Sequence, residues 1–467
     1  MRTHLLFVLG VALMLGTSIS VSAQDAFQVV NPTQDIVDKN QVAGSFFGQA
    51  VAISSDAMFI GKYGVTSPSG KTRAGMVYVY KKENADWVLT DSILSPLDEI
   101  GICFGYRLAT DGKRLVVGAS ESFVTTRTKD GFVSVYVKND AGKWVAEQEV
   151  IRPKEKREAA LWGSAIAIDG DVMAVGSSNY KNGTIASAGT AQIFERSANG
   201  VWEQKLDNTP TEKARMGRTV AVHGNKVVLA SLDLGGFVYE KENGEWVEKD
   251  RLDLISTVNY YGLSLENNTI MAGDYTNKKV IVYERNDQGK WERKQELTEP
   301  DGLNSFGINI ILKGDAALIT TNNMGTCFLF TKDNTGKWQQ TANLNYTDTE
   351  VAGQFGFAAD FNGKEALIGR HGYKQGTTTV GRAHYYDLTS VISNATTLPS
   401  MQLSGLKVGT LSDGITLSAS SPLSVQIFTI DGKTAGSAVI ATEPVFILLQ
   451  KGVYLIRSGQ ETIKVIL

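Results

Sequence analysis

WGSAIAIDGDVMAVGSSNYKNGTIASAGTAQIFERSANGVW, residues 162–202, contains four short strand patterns in a row. Ala165–Ile168 and Val172–Gly176 are apolar runs separated by a Gly/Asp turn, which predicts a hairpin. After a polar loop, Thr190–Glu195 alternates as a half-buried strand does, and Trp202 opens a fourth strand beyond a second turn. Two hairpins in tandem form an antiparallel sheet that cannot bury its apolar face alone, so the unit needs neighbours of its own kind.

The same unit recurs along the chain. Each copy opens with an aromatic residue or Met followed by Gly, and these pairs begin at Phe47, Phe104, Trp162, Met216, Tyr261, Phe306 and Phe355. Six copies end with a turn and a tryptophan, at Trp87, Trp144, Trp202, Trp246, Trp291 and Trp338. Four strands per repeat at this period are typical of a β-propeller blade. The fixed position of the tryptophans favours packing between blades over sugar stacking.

The seventh copy lacks its tryptophan strand. After Tyr385 and Tyr386 the chain continues into a Thr/Ser-rich stretch instead. Ala26–Pro32, AFQVVNP, has the alternation and trailing proline of the fourth strands elsewhere, so we predict that it completes the last blade and removes the exposed sheet edges. The predicted fold class is all-β: a seven-bladed propeller over residues 24–389, followed by a small β-sandwich domain.

The pattern FG-x-x-VAI-DGD-x-x-VG, followed by G-x-x-YVF-x-R-x-x-G-x-W, resembles the FG-GAP repeats of integrin-alpha-like propellers. The resemblance covers residues 26–388 and implies a binding or adhesion protein rather than an enzyme. Many FG-GAP blades carry a calcium loop with Asp at alternate positions, but no D-x-D-x-D-G run exists here. No calcium ligand is therefore assigned to any residue.

The C-terminal region separates from the repeats. Residues 390–404 form a predicted Thr/Ser/Leu linker, and residues 405–467 alternate as a compact all-β domain. This domain resembles the type A C-terminal sorting domain of the type IX secretion system in Bacteroidetes; the alternative is an ordinary small sandwich. The resemblance implies export to the surface or medium by type IX-like machinery. It rests on a motif that includes Asp431, Gly432, Lys433, Gly452, Tyr454 and Lys464.

The N-terminus reads as a targeting segment. Residues 1–23 combine a weakly basic start, an apolar run from Leu5 to Leu15 and the small-residue cleavage site Val21-Ser22-Ala23, which predicts a cleaved signal peptide. No further stretch is apolar enough to cross a bilayer, so we expect no transmembrane segment in the mature chain. Charge is balanced at −3 and indicates no nucleic-acid partner. Cys103 and Cys327 fall in apolar strand patterns and are expected to be buried, unbonded thiols.

Motifs for catalysis, metals and cofactors are not recognised. The chain has no P-loop, no dinucleotide fingerprint, no H-E-x-x-H and no G-x-S-x-G, so we assign no catalytic residue, no metal ligand and no cofactor. A glycosidase is one alternative, because Glu121 and Asp130 are acids on a loop, although nothing pairs either with a partner carboxylate. A structural surface-layer component is the other alternative.

Loop lengths indicate where a ligand would bind. The connections between second and third strands are long in the first three copies and the last, which are neighbours in a closed ring. Loops on a rigid scaffold commonly carry binding sites. These loops are rich in basic and aromatic residues. We therefore predict that they form a rim that binds an anionic glycan or a protein ligand. The candidate residues are Lys62, Tyr63, Lys71, Arg73, Arg127, Lys129, Tyr180, Lys181, Arg370, Tyr373 and Lys374.

Overall fold

The computed structural model describes residues 27–120, 131–155, 161–254, 262–274, 277–299, 306–321, 325–333, 335–348 and 353–396. In the C-terminal region it describes residues 406–411, 414–419, 421–429, 432–440, 445–450, 453–458 and 461–466. Two short strands come first, β1 (Gln28–Val30) and β2 (Gln34–Val37). The chain then forms a series of antiparallel sheets, numbered here in chain order.

Sheets 1 to 3 each use four consecutive strands paired in sequence order. Sheet 1 contains β3 (Val51–Ile53), β4 (Met58–Gly61), β5 (Met76–Glu83) and β6 (Asp86–Leu94). Sheet 2 contains β7 (Phe104–Thr110), β8 (Arg114–Ala119), β9 (Phe132–Lys138) and β10 (Trp144–Ile151). Sheet 3 contains β11 (Ala165–Asp169), β12 (Val172–Ser177), β13 (Thr190–Arg196) and β14 (Trp202–Asn208). Sheet 3 therefore has the four strands predicted for residues 162–202.

Sheets 4 to 6 repeat this arrangement. Sheet 4 contains β15 (Met216–His223), β16 (Lys226–Ser231), β17 (Gly235–Glu242) and β18 (Glu245–Leu252). Sheet 5 contains β19 (Leu263–Glu266), β20 (Thr269–Asp274), β21 (Lys279–Arg285) and β22 (Trp291–Thr298). Sheet 6 contains β23 (Ile310–Lys313), β24 (Ala316–Thr320), β25 (Thr326–Lys332) and β26 (Trp338–Asn345).

Sheet 7 takes strands from both ends of the repeat region. Its first two strands are β27 (Ala358–Phe361) and β28 (Glu365–Arg370), and a small hairpin of β29 (Lys374–Gln375) and β30 (Thr378–Thr379) follows. Its third strand is β31 (Arg382–Asp387). The outer position is filled by β2, which pairs antiparallel with β31. The N-terminal part of the chain thus supplies a strand that the C-terminal repeat lacks.

A repeated side-chain contact identifies β2 as an outer strand. The Gln34 amide accepts from the Trp87 backbone N–H (2.8 Å) and donates to the Trp87 carbonyl (3.0 Å) across the boundary from sheet 7 to sheet 1. Gln295 in β22 holds Trp338 in the same two-way manner, at 2.9 and 2.6 Å, between sheets 5 and 6. Gln34 therefore occupies the position in sheet 7 that Gln295 occupies in sheet 5.

The predicted closing segment Ala26–Pro32 is wrong in its placement. Gln28–Val30 instead pairs in parallel with β26 and extends sheet 6 as a fifth strand. Val29 is 55% exposed, whereas Ile36 in β2 is 3% exposed. The segment AFQVVNP alternates in sequence, but it is Ile36, beyond the proline, that reaches the apolar core.

The first strands of the sheets contact one another in cyclic order: β3 with β7, β7 with β11, β11 with β15, β15 with β19, β19 with β23, β23 with β27, and β27 with β3 again. Apolar cores lie between neighbouring sheets, as in the cluster that joins Phe59 of sheet 1 to Phe104 of sheet 2. Trp144 packs edge-on against Phe59 with ring centroids 4.9 Å apart, which confirms that this tryptophan packs between sheets. The described repeats form a β-propeller around a central channel.

The residues after sheet 7 differ from the predicted linker. Thr389–Thr396 forms a helix, α1, which contacts β25 and β26. Leu388 and Val391 are buried against sheet 6, so the first part of the 390–404 segment is fixed to the propeller by apolar contact. Among the described residues, no helix is both long and apolar enough to span a membrane.

The C-terminal region forms two antiparallel sheets. One contains β32 (Leu406–Leu411), β33 (Gly414–Ala419) and β36 (Val445–Leu448). The other contains β34 (Leu423–Thr429), β35 (Thr434–Ile440), β37 (Val453–Ser458) and β38 (Glu461–Ile466). Buried residues of both sheets, including Ile415 and Ile427, belong to one apolar cluster.

Candidate functional site at the loop face of the channel

The repeated aromatic–glycine pair fixes how the first strand of each sheet enters the channel. Phe104 is fully buried, and Gly105 adopts a φ of 85° with its Cα against the neighbouring sheet. A Cβ at Gly105 would lie 2.7 Å from the carbonyl oxygen of Met76, so the close approach of sheets 1 and 2 requires glycine. The two residues after each pair are thereby placed at the same end of the channel.

These residues line a cavity of about 280 Å³ at that end, called here the channel mouth. Its lining includes Tyr106 and Arg107 of sheet 2, Ser164 of sheet 3, Arg218 of sheet 4 and Phe357 of sheet 7. The connections between second and third strands, and those between sheets, leave the propeller at this end, which we call the loop face. Binding sites of propellers and barrels commonly lie at such a channel opening.

Aromatic rings from neighbouring sheets meet beside the channel mouth. Tyr63 stacks on Phe46, with centroids 4.7 Å apart, and meets Tyr106 edge-on at 5.3 Å. His371 lies edge-on to Phe357 at 5.0 Å and 6.3 Å from the Phe46 ring. The cluster therefore joins sheets 7, 1 and 2 into one wall.

Arg107 is held in this wall by defined contacts. Its Nε donates to the carbonyl oxygen of Ser164 at 3.0 Å, and its guanidinium lies 5.2 Å from the Tyr106 ring and 5.9 Å from the Phe357 ring. Burial, together with the charge of Arg107, lowers the pKa of His371 to about 4. His371 is thus neutral near pH 7, and its buried Nδ1 has no hydrogen-bond partner among the described residues.

Two of the predicted rim residues are buried rather than exposed. The Lys62 side chain is 2% exposed and its Nζ lies 2.6 Å from the Asp38 carboxylate, which is itself fully buried. Tyr63 is 2% exposed, and burial raises the pKa of its phenol. The expectation that both side chains face a ligand is wrong, because the segment after β2 covers them and supplies the counter-charge.

Arg370 is also buried. Its Nη1 donates to both carboxylate oxygens of Asp348, at 2.9 and 2.8 Å, and its guanidinium lies 3.8 Å from the Tyr346 ring. Arg382 donates to the same carboxylate at 2.9 Å and lies 3.8 Å from the Tyr373 ring. Tyr373 is half-buried against these two arginines. Arg370, which was predicted to bind a ligand, therefore forms an ion pair within the chain.

The remaining rim residues differ in exposure. Lys181 and Lys374 are exposed, whereas Lys71, Arg73 and Tyr180 are half-buried. Tyr180 packs against the apolar cluster between sheets 2 and 3. Arg127 and Lys129 lie outside the described residues, as do Glu121 and Asp130 of the glycosidase alternative. The structure does not gather all predicted basic residues into one exposed patch.

The opposite end of the channel opens into a cavity of about 850 Å³ lined by the turns between first and second strands. Carboxylates there bond backbone groups of the next sheet: Asp111 accepts from the Gly170 N–H at 3.0 Å, and Asp360 accepts from the Ile53 N–H at 2.8 Å. Burial raises the pKa of Asp360. These acids connect adjacent sheets and have a structural role.

Neither cysteine forms a disulfide in the structure: Cys103 and Cys327 are buried free thiols in sheets 2 and 6. Within the described ranges, no group of three His, Cys, Asp or Glu side chains is arranged to hold a metal ion.

The sorting-motif residues are only partly described. Gly432 has a φ of 84° at a tight turn, and Lys433 beside it is exposed. Tyr454 is 7% exposed, and its hydroxyl donates to the Gln450 carbonyl at 2.9 Å. Lys464 lies in β38, whereas Asp431 and Gly452 fall outside the described residues.

Sequence reasoning missed Arg107 and Arg218. The signal was present: Arg218 directly follows Met216-Gly217, and Arg107 is the second residue after Phe104-Gly105, where some other copies have alanine, as at Ala50 and Ala165.

Comparison with known proteins supports the fold. The FG-GAP repeat family profile matches residues 31–80, which span β2 and most of sheet 1 up to Tyr80 in β5. No curated protein sequence matches the chain significantly. A chain of the mitotic checkpoint complex is similar in structure at 10% identity, with 83% of this chain and 98% of that chain covered and a TM-score of 0.50.

Two further solved structures resemble it. One is a catalytically inactive virginiamycin B lyase from Staphylococcus aureus with quinupristin, at 12% identity, covering 76% of this chain and 98% of that one, with a TM-score of 0.47. The other is the WD40 β-propeller domain of Doa1, at 9% identity, covering 78% and 98%, with a TM-score of 0.46. This chain is a β-propeller protein with an FG-GAP repeat match.

Proposed function

We propose that this protein is a secreted or cell-surface binding propeller that holds a glycan or a surface macromolecule at its loop face. It has no catalytic role in this proposal. The propeller has seven blades, which are sheets 1 to 7, and β2 closes the ring by completing sheet 7. The cyclic contacts between first strands support this number.

The grouping of long connections on neighbouring blades is the observation that carries the binding proposal. The connection between β12 and β13 spans residues 178–189, whereas the equivalent connection of sheet 4 is only Leu232-Asp233-Leu234. Long connections of this kind also leave sheets 1, 2 and 7. The long connections of sheets 7, 1, 2 and 3 are neighbours on the loop face of a rigid ring, and we call this set of connections the platform. Loops that a rigid scaffold positions in this way can bind a large ligand.

The exposed basic residues of this platform favour an anionic partner. Lys181 and Lys374 are exposed on the loop face, and Lys71 on the same face is half-buried. Lys62 and Arg370 form ion pairs with carboxylates of the same chain. Fewer basic residues are therefore left to attract an anionic ligand than the sequence suggested. Binding is therefore expected to be selective for shape as well as charge.

A glycan and matrix-protein array tests the binding proposal. The purified chain is compared with a variant in which residues 178–189 are replaced by Leu-Asp-Leu, the sheet 4 connection. A second variant, Lys181→Ala, is matched by Lys143→Ala, which removes an exposed lysine from the opposite face. We expect the loop replacement and Lys181→Ala to lose binding, and Lys143→Ala to bind as the unaltered chain does. Binding that survives both changes would place the ligand elsewhere, and turnover of a glycosidase substrate would replace the proposal with an enzyme.

We propose further that the C-terminal domain is a β-sandwich sorting domain read by a type IX-like secretion machinery after signal-peptide cleavage. Support comes from its two sheets with a shared core and from its terminal motif. Removing the chain from Leu403 onward in a Bacteroidetes host is expected to leave a folded propeller in the periplasm. Normal surface display of the truncated protein would contradict this assignment.

A further inference from the structure

We propose that the channel mouth binds a single acidic sugar residue. Arg107 of sheet 2 binds the oxyanion of this sugar, together with Arg218 of sheet 4, which lies on the other side of sheet 3. This inference deepens the proposed function and rests on it, since it names the ligand group that the propeller would recognise. The site shares Ser178 and Asn179 with the connection between β12 and β13, whereas Arg107 lies outside that connection. A substitution of Arg107 therefore tests the site without changing the outer loops.

Charge is the first argument. Arg107 and Arg218 both line the channel mouth, and no Asp or Glu is found among the described residues that line it. Elsewhere on the loop face, buried cations have carboxylate partners: Lys62 with Asp38, and Arg370 with Asp348. Within the described part of the chain, Arg107 forms no such ion pair, so its charge is available to a bound anion.

The geometry of Arg107 is the second argument. The hydrogen bond from the Arg107 Nε to the Ser164 carbonyl orients the guanidinium group. The Tyr106 and Phe357 rings lie next to this group and restrict its movement. A guanidinium fixed in this way loses little side-chain entropy when it binds. Its planar N–H groups suit the two oxygens of a carboxylate or phosphate.

The nature of the lining is the third argument. Tyr106 and Phe357 provide rings against which the apolar face of a sugar can pack, and Ser178 and Asn179 add polar groups at the edge. The volume of about 280 Å³ lies at the small end of the range for ligand pockets. The mouth therefore fits one sugar residue or a chain end rather than an extended polymer.

The electrostatic environment agrees with a cationic mouth. Burial is the larger cause of the lowered pKa of His371, and the positive charge of Arg107 lowers it further. A bound anion would offset that charge and raise the pKa of His371 again. The nearby histidine thus provides a second readout for occupancy.

Titration calorimetry with the full mature chain tests the site. Glucuronate and glucose 6-phosphate are the two oxyanion sources, and glucose is the neutral control. Arg107→Gln is expected to weaken binding of the preferred acidic sugar about ten- to a hundredfold, the loss of one charge-assisted bond. Arg107→Lys should weaken it less. Arg251→Gln, an exposed arginine on the outer strand of sheet 4, is the matched control and should bind as the unaltered chain does.

Each outcome has a defined meaning. Near-ultraviolet circular dichroism establishes that the Arg107→Gln chain is folded. Unchanged binding in that folded variant overturns the site, as does failure of the unaltered chain to bind either acidic sugar or equal binding of glucose. One outcome is that the Arg107→Gln chain still binds a polymer on the array while the loop replacement does not. That result would support the proposed function and contradict the binding site at the channel mouth. A bound acidic sugar should also raise the pKa of His371 in a ring-proton titration.

Discussion

Replacing His371 by Phe should make the protein less sensitive to acid. The imidazole is 7% exposed, lies between the Phe46 and Phe357 rings, and has an Nδ1 without a partner among the described residues. A phenyl ring can keep the aromatic contacts and removes the titrating group. Near pH 7.5 we expect the free energy of unfolding to change little, since the neutral imidazole contributes packing rather than hydrogen bonds.

The magnitude follows from the pKa of His371, which burial lowers from 6.5 to about 4. Between these values the unfolded chain binds a proton that the folded chain does not, so the free energy of unfolding falls as the pH falls. One pKa unit corresponds to about 1.4 kcal/mol, so His371 removes roughly 2–3 kcal/mol of stability between pH 7.5 and pH 4.5. The effect fades as the pH rises above 6.5, because the imidazole is then neutral in both the folded and the unfolded chain.

Urea unfolding followed by tryptophan fluorescence at pH 7.5 and 4.5 measures this difference. His371→Phe should lose roughly 2–3 kcal/mol less than the unaltered chain over the interval. Equal losses in the two proteins would refute the assignment of acid sensitivity to the buried imidazole.

Three further predictions concern the closing segment and the buried thiols. Ile36→Ala should lower the free energy of unfolding by about 2–5 kcal/mol in urea titrations, whereas its exposed neighbour Val37→Ala should change it by less than about 0.5 kcal/mol; equal effects would contradict the placement of β2. Asp38→Asn leaves the buried ammonium of Lys62 without its carboxylate and should cost about 3–5 kcal/mol, measured in the same way, and a cost near zero would mean that the pair is not buried. Both cysteines should react with a thiol reagent only after unfolding, and rapid reaction in native buffer would contradict their burial.

The sequence could predict the repeat because its signals are local. The Gly/Asp turn between Ala165–Ile168 and Val172–Gly176 appears in the structure as the tight connection from β11 to β12. The pairs headed by residues such as Phe104 mark the start of the first strands, because a buried core residue and a glycine with positive φ stand there in six of the seven copies. Such features depend on residues adjacent in sequence.

The register of the closing strand required a different comparison. The prediction matched the valines and proline of AFQVVNP to the ends of other fourth strands. The informative match is Gln34 with Gln148, because this glutamine holds the next sheet's tryptophan: Gln34 bonds Trp87, and Gln148 accepts from Trp202 at 3.0 Å. Apolar alternation alone does not distinguish two registers that differ by a few residues. The polar contact across the sheet boundary does.

The role of each arginine on the loop face depends on partners that are remote in sequence. Arg370 looked like a ligand-binding residue, but Asp348, from the connection after sheet 6, occupies its guanidinium. Arg107 was not singled out in the sequence, and the ring places it at a channel mouth lined by no carboxylate among the described residues. A buried cation needs a counter-charge, and Arg370 and Arg382 share the Asp348 carboxylate for this purpose. Arg107 has a carbonyl bond and two aromatic rings as its contacts, and this difference from Arg370 is what supports the proposal that it binds an anion from outside the chain.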